Sequence, residues 1–231
     1  VSGGRENTMT VLLQKRKKIF CSILWLKDKN TMLFFYSKKE ITMNIGILAI
    51  QGAFAEHEQK LTALGADVFE IRQAKDLQNP MDGLILPGGE STVMGKLLHD
   101  LDLFDPLHKR IKEGLPVMGT CAGLILLAKQ LADDDVVHFA TMPVEVKRNA
   151  YGRQLGSFHT THEMKGVGMI PMNFIRAPYV TKCTDEVEIL AQVDEKIVAV
   201  QYKNQLGLAF HPEVTDCDKV HAYFLDMCQK R

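Results

Sequence analysis

Hydrophobic positions follow two regimes along the chain. From Asn44 to Ile50 (NIGILAI) they are almost continuous, as in a strand covered on both faces. Gln51-Gly52-Ala53 interrupts the run, and a helical spacing follows from about Phe54 to Leu64, where Gly65 stops it. The alternation then repeats. Strands are predicted near Ala66 to Ile71 and at Gly83 to Leu86, the latter entering the turn Pro87-Gly88-Gly89-Glu90-Ser91. Helices follow at about Thr92 to Leu98 and Pro106 to Glu113, then a strand at Leu115 to Gly119 ending at Cys121, then an apolar helix from Ala122 to Leu131. Such alternation predicts an α/β fold, a three-layer αβα sandwich around a mostly parallel sheet. Beyond about Met142 the runs alternate or become β-branched, at Pro143 to Lys147, Ser157 to His162, Val187 to Val193, Ile197 to Tyr202 and Leu206 to Phe210. The sheet should continue there in mixed or antiparallel form. A last helix is predicted from about Cys217 to Cys228, with Val220, Phe224, Leu225 and Cys228 on one stripe.

Composition narrows the function classes. No apolar run approaches the roughly 18–20 residues that cross a bilayer as a helix, so no membrane role is expected. The five cysteines include no C-x-x-C pair, which argues against a disulfide framework or a structural zinc site; no metal and no cofactor is expected. The 28 basic and 28 acidic residues are unevenly placed. Residues 1–42 carry nine Lys or Arg against three acids, a net +6, which leaves −6 on the remainder. An acidic body gives no electrostatic reason to hold nucleic acid. Ile19 to Leu26 is apolar and follows a basic cluster, but it is short and no small-residue cleavage site follows it, so a cytoplasmic protein is expected. The working domain is read as residues 43–231, with residues 1–42 a basic N-terminal extension outside the fold.

Candidate chemistry gathers at three places. Gly119-Thr120-Cys121-Ala122-Gly123 is G-x-C-x-G between a strand and a helix, the setting of a nucleophile elbow. A thiol there meets unpaired N–H groups at the helix start, which favour the thiolate. Cys21, Cys183, Cys217 and Cys228 lack that setting and read as small hydrophobes. Second, His211 closes an apolar strand and is followed by Pro212 and Glu213. In an extended stretch, side chains two apart point the same way, so Glu213 should reach and orient the imidazole. His57, His99, His108, His138, His159, His162 and His221 have no acid at a useful spacing and read as surface or structural. Third, the Gly88-Gly89 turn can aim backbone N–H donors at an oxyanion, with Ala122 N–H as the other donor.

In this order, GTCAG after a strand, LPGGES before it and HPE near the C-terminus resemble the class I, triad-type glutamine amidotransferases. More narrowly, Ala49 to Ala53 with Glu56-His57, Leu86 to Thr92, Gly119 to Leu124, Arg148-Asn149 with Tyr151 to Gln154, Ile175 to Pro178 and Phe210 to Glu213 resemble the glutaminase subunits of pyridoxal 5'-phosphate synthase. The resemblance spans about residues 43–229. It implies a flavodoxin-like fold and hydrolysis of L-glutamine to glutamate and ammonia, with Cys121 acylated, His211 moving protons and Glu213 orienting His211. It also implies that Gly89, Glu90, Ser91, Arg148, Ile175 and Arg176 hold glutamine, and that ammonia passes to a PdxS-type (β/α)8-barrel synthase. Bottom-up, Arg148 or Arg176 could hold the α-carboxylate, since guanidinium suits that planar group, but spacing does not choose them over Arg153. The family's first strand and Gln-Gly-Ala turn lie near the partner interface, so the 42 added residues could obstruct docking. Two other readings remain: the amidotransferase subunit of another pathway, such as imidazole glycerol phosphate synthase, against which the Gln51 to Ala53 and Arg148 to Gln154 motifs speak, and a non-catalytic assembly partner.

Overall fold

The computed structural model of the chain describes residues 21–22, 37–38, 42–148 and 157–230. The chain divides into two units, Val1–Ile41 and Thr42–Arg231. In the first, Cys21–Ser22 pairs antiparallel with Ser37–Lys38. The rest of the basic segment, and the expected motif from Asn149 through Gln154, lie outside the described residues.

In the second unit strand and helix alternate as β1 (Asn44–Leu48), α1 (Phe54–Ala63), β2 (Asp67–Ile71), β3 (Gly83–Leu86), α2 (Ser91–Asp100), α3 (Phe104–Lys112), β4 (Val117–Thr120) and α4 (Ala122–Leu127). Then come β5 (Ala128–Leu131), β6 (Met142–Lys147), β7 (Ser157–Met164), β8 (Gly168–Ile175), β9 (Tyr179–Cys183), β10 (Glu188–Val193), β11 (Lys196–Tyr202), β12 (Gln205–Leu208) and α5 (Lys219–Gln229). One mixed sheet runs β2-β1-β3-β4-β12-β11-β9-β6-β5, with β10 also paired to β11. Its first five strands are parallel to one another, and β12 to β11, β11 to β9 and β9 to β6 are antiparallel. This is a three-layer αβα architecture, with the mixed sheet that the sequence pattern predicts.

Side-chain alternation assigns the faces. Thr120 points to α1, where its hydroxyl meets His57, and a β-carbon at Gly83 would touch Phe224 and Cys228 of α5. On the opposite face a β-carbon at Gly119 would meet Gly123 of α4, and one at Gly207 would meet Leu124. Helix α4 therefore lies directly on β3, β4 and β12. Gly123 makes this approach possible, because a β-carbon there would sit 2.0 Å from the Leu86 carbonyl oxygen. Neither side of that contact is a flexible side chain. Gly123→Ala is expected to lower stability by about 3 kcal/mol, the upper part of the range for overpacking. A urea midpoint equal to that of the parent chain would contradict the close approach.

Three elements differ from the sequence pattern. The helix predicted to reach Leu131 ends at Leu127, and Ala128–Leu131 pairs parallel with β6. Strand β8 has no counterpart in the sequence pattern: Pro171 within it argues against a central strand, and among the described residues β8 pairs only with β7, outside the main sheet. Strand β9 also lacked a clear alternating signal, being short and bulged between Val180 and Lys182. Among the described residues no helix is long and apolar enough to cross a membrane.

Candidate active site

Four adjacent parallel strands, β1, β3, β4 and β12, end at one edge of the sheet, and the last three each deliver a predicted site residue just beyond their last position. β1 leads to Gln51, β3 to Gly88 through Ser91, β4 to Cys121 and β12 to His211. Register keeps these ends level: Leu208 is opposite Thr120, and Gly119 is opposite Leu86. Ligand sites of open α/β sheets form at such carboxyl edges.

Cys121 caps the start of α4 with φ 50° and ψ −101°, a backbone conformation that ordinary side chains avoid. Its N–H donates to the Leu208 carbonyl at 2.8 Å, so the next strand holds the bend. The side chain is 8% exposed, on a helix whose first N–H, that of Ala122, has no partner within the helix. The chain thus bends sharply between β4 and α4 at the position of Cys121 within G-x-C-x-G.

His211 is placed by two neighbours. Its N–H donates to the Asn173 carbonyl of β8 at 2.8 Å, and its ring lies against Gly88, where a β-carbon would come within 2.3 Å of Cε1. Nδ1–H of the ring donates to Oε1 of Glu213 at 2.6 Å. The expected pairing is present, but the backbone differs: Pro212–Val214 is a single 3-10 turn, and that turn, not an extended strand, carries the carboxylate back to the ring. Both residues are almost fully buried, His211 at 7% and Glu213 at 4% exposure. Burial opposes charge on His211, yet hydrogen bonding and charge from Cys121 and Glu213 outweigh it and push the imidazolium pKa up to about 10. Burial likewise opposes the Glu213 carboxylate, but His57 and His211 hold its pKa below the usual range.

The glycine turn is tied to the first strand's loop. Ala53 N–H donates to the Gly88 carbonyl at 3.1 Å, and Glu90 N–H donates to Oε1 of Gln51 at 2.7 Å, an oxygen that lies close over Gly89. Glu90 caps α2, accepting from the N–H groups of Thr92 and Val93 at 3.2 and 2.8 Å. Burial raises the Glu90 pKa, but these two bonds and the nearby Arg148 bring it below the usual range. Ser91 is buried at the first position of α2. The Arg148 guanidinium pairs with Asp134 at 2.7 Å and Asp133 at 3.7 Å. Ile175 ends β8, two residues past the Asn173 that holds His211, and Arg176 follows it at φ 45°. The Arg176 side chain is exposed and makes no hydrogen bond or ion pair among the described residues.

Two histidines that the sequence pattern left as surface or structural stand directly behind this arrangement. His57 and His221 are fully buried, and Nε2 of His57 lies 3.5 Å from Oε2 of Glu213. The available signal was position. His57 shares the buried face of α1 with Leu61, and His221 stands on the apolar stripe of α5 beside Phe224, Leu225 and Cys228.

Known proteins similar to this chain identify its family. A relative described as pyridoxal 5'-phosphate synthase subunit PdxT, from Desulfitobacterium hafniense (strain DSM 10664 / DCB-2), is 57% identical over 184 residues, covering 80% of this chain and 92% of its own length. Another PdxT, from Streptococcus pneumoniae (strain CGSP14), is 55% identical over 192 residues, 82% of this chain and 99% of its own. A crystal structure of a glutamine amidotransferase superposes with a TM-score of 0.76 at 39% identity, over 80% of this chain and 98% of that one. Residues 47–230, which carry all four strand ends and the Cys121, His211 and Glu213 cluster, match one family throughout, and the chain belongs to the SNO glutamine amidotransferase family.

Proposed function

We propose that this chain is the glutaminase of a pyridoxal 5'-phosphate synthase, hydrolysing L-glutamine with a Cys121, His211 and Glu213 triad and passing the ammonia to a PdxS-type barrel synthase. One observation carries the mechanism: His211 bonds Glu213 through Nδ1 at the same carboxyl edge of the sheet where Cys121 sits at a strained bend. The Cys121 sulfur, its proton held by His211, attacks the γ-carboxamide carbon, and the carbonyl π electrons move to the oxygen. Gly89 and Ala122 N–H groups, beside Gly88, take the developing oxyanion. His211 then protonates the nitrogen, the C–N bond breaks, and ammonia leaves a γ-glutamyl thioester. His211 next accepts a proton from water, whose oxygen displaces the sulfur and releases glutamate. Glu213 fixes the tautomer and supports the imidazolium.

Glu90, Ser91, Arg148, Ile175 and Arg176 would hold glutamine. Arg176, without a hydrogen bond or ion pair among the described residues, is the better placed for the α-carboxylate, whereas Arg148 would have to share its guanidinium with Asp133 and Asp134. Val93, two residues past Ser91, and Val214, next to Glu213, are exposed apolar side chains suited to docking a partner. Cys121, Cys183 and Cys217 form no disulfide among the described residues, as suits the reducing cytoplasm. Residues 43–231 would suffice for the activity. The test is ammonia release from glutamine by the full chain and by a version starting at Met43, alone and mixed with a PdxS or an imidazole glycerol phosphate synthase barrel. Stimulation by the PdxS barrel alone is expected; stimulation by the other barrel instead would refute the assignment.

A further inference from the structure

Oε2 of Glu213 is fully buried and makes no hydrogen bond among the described residues, although Oε1 is taken by His211. A bare carboxylate oxygen in the interior is costly, so what faces it matters. Nε2 of His57 lies 3.5 Å from it, and the same nitrogen lies 3.2 Å from the Thr120 hydroxyl. The other ring nitrogen of His57 meets Nε2 of His221 at 2.9 Å, and Nδ1 of His221 is buried without a partner.

We propose that His57 is a positioning residue for the triad acid, directing Nε2–H at the free oxygen of Glu213 while its Nδ1 accepts a hydrogen bond from Nε2–H of His221. The inference rests on the triad reading above. Complete burial keeps His57 neutral, with burial lowering its pKa against the raising effect of Glu213, so the ring carries one proton. If that proton sat on Nδ1, the Nε2 lone pair would face a carboxylate, and His221 would be left with a bare buried N–H on Nδ1. With the proton on Nε2, an N–H dipole faces the negative charge, and the orphan on His221 is an unprotonated acceptor. Both penalties favour the second arrangement. His221 stays neutral because burial lowers its pKa to about 3. The charge on Glu213 thus selects one tautomer in two successive rings, and those rings in turn hold the carboxylate in place and ionised. The other groups facing this chain are His211 and Cys121 on the substrate side, Glu56 and Lys60 on α1, and Asp218 before α5, with Lys60 and Asp218 paired at 2.8 Å.

Two variants separate positioning from packing. Glutamine at position 57 can place an amide N–H where Nε2 stood, whereas asparagine reaches only as far as Nδ1 and keeps a polar contact with His221. In synthase-stimulated ammonia release, His57→Asn should lower kcat about 10- to 100-fold, the scale for groups that orient a ligand-bearing histidine, with KM within about twofold. Its acid limb should move to higher pH, because Glu213 loses a stabilising dipole and protonates more readily. His57→Gln should stay within about threefold of the parent and keep the parent pH profile. Equal losses in both variants, or no loss in His57→Asn, overturns the proposal while leaving the triad intact. A parent chain that releases no ammonia fails the triad reading itself. Nitrogen NMR of the histidine rings in the unmodified chain reads the tautomer directly: a protonated Nε2 on His57 is expected, and a proton on Nδ1 overturns the proposal whatever the variants do.

Discussion

Cys121→Ala is expected to reduce ammonia release from glutamine to the uncatalysed background, a loss on the order of a million-fold, the scale seen when a triad loses its nucleophile. No other described cysteine can substitute. Cys228 lies in α5 on the opposite face of the sheet from α4, while Cys183 and Cys217 lie in β9 and just before α5, away from the carboxyl edge of β4. The fold should survive, because alanine at φ 50° is no more strained than cysteine and the side chain removed is small and nearly buried. Unchanged thermal unfolding together with complete loss of release is therefore the expected pair of results. Partial retention of release would move the covalent step to another residue.

His211→Asn should cost nearly as much, on the order of a million-fold, because it removes the group that protonates the departing nitrogen and later activates water. Glu213→Gln should cost less, on the order of ten-thousand-fold, since an amide oxygen can still accept Nδ1–H of His211. The sign of the pH effect follows from the cause of the shift. His211 keeps its proton up to about pH 10 because hydrogen bonds and charge from Cys121 and Glu213 overcome its burial. Without the Glu213 charge the imidazolium is lost at lower pH, so the basic limb of the Glu213→Gln profile should move down. Equal losses in the two variants, or a basic limb that does not move, would mean that Glu213 does more than orient and support the ring.

The parts of this site readable from sequence were those set by local backbone rules. Apolar runs ending in glycine turns marked β1, β3 and β4, and the same turns place Gly88, Gly89 and Cys121 at one edge. His211 and Glu213 were found through their spacing, although the turn that joins them is 3-10 and not extended. What could not be read depended on distant partners. Leu124 through Leu131 carries a helical composition, but Ala128–Leu131 is drawn into a strand by pairing with β6. The hairpin of β7 and β8 supplies the carbonyl that holds His211, yet Pro171 disguised it. His57 and His221 are 164 positions apart, and nothing local shows that α1 and α5 press their rings together behind Glu213.

Central to the account is a sulfur on Cys121 that forms a covalent bond to the γ-carbon of glutamine. Labelling the full chain, mixed with the synthase barrel, by a diazoketone analogue of glutamine tests this most directly. Peptide mass spectrometry should find one label per chain, on Cys121, formed in step with the loss of ammonia release and slowed by added glutamine. Label on a different residue, or a fully labelled Cys121 in a chain that still releases ammonia, would contradict it.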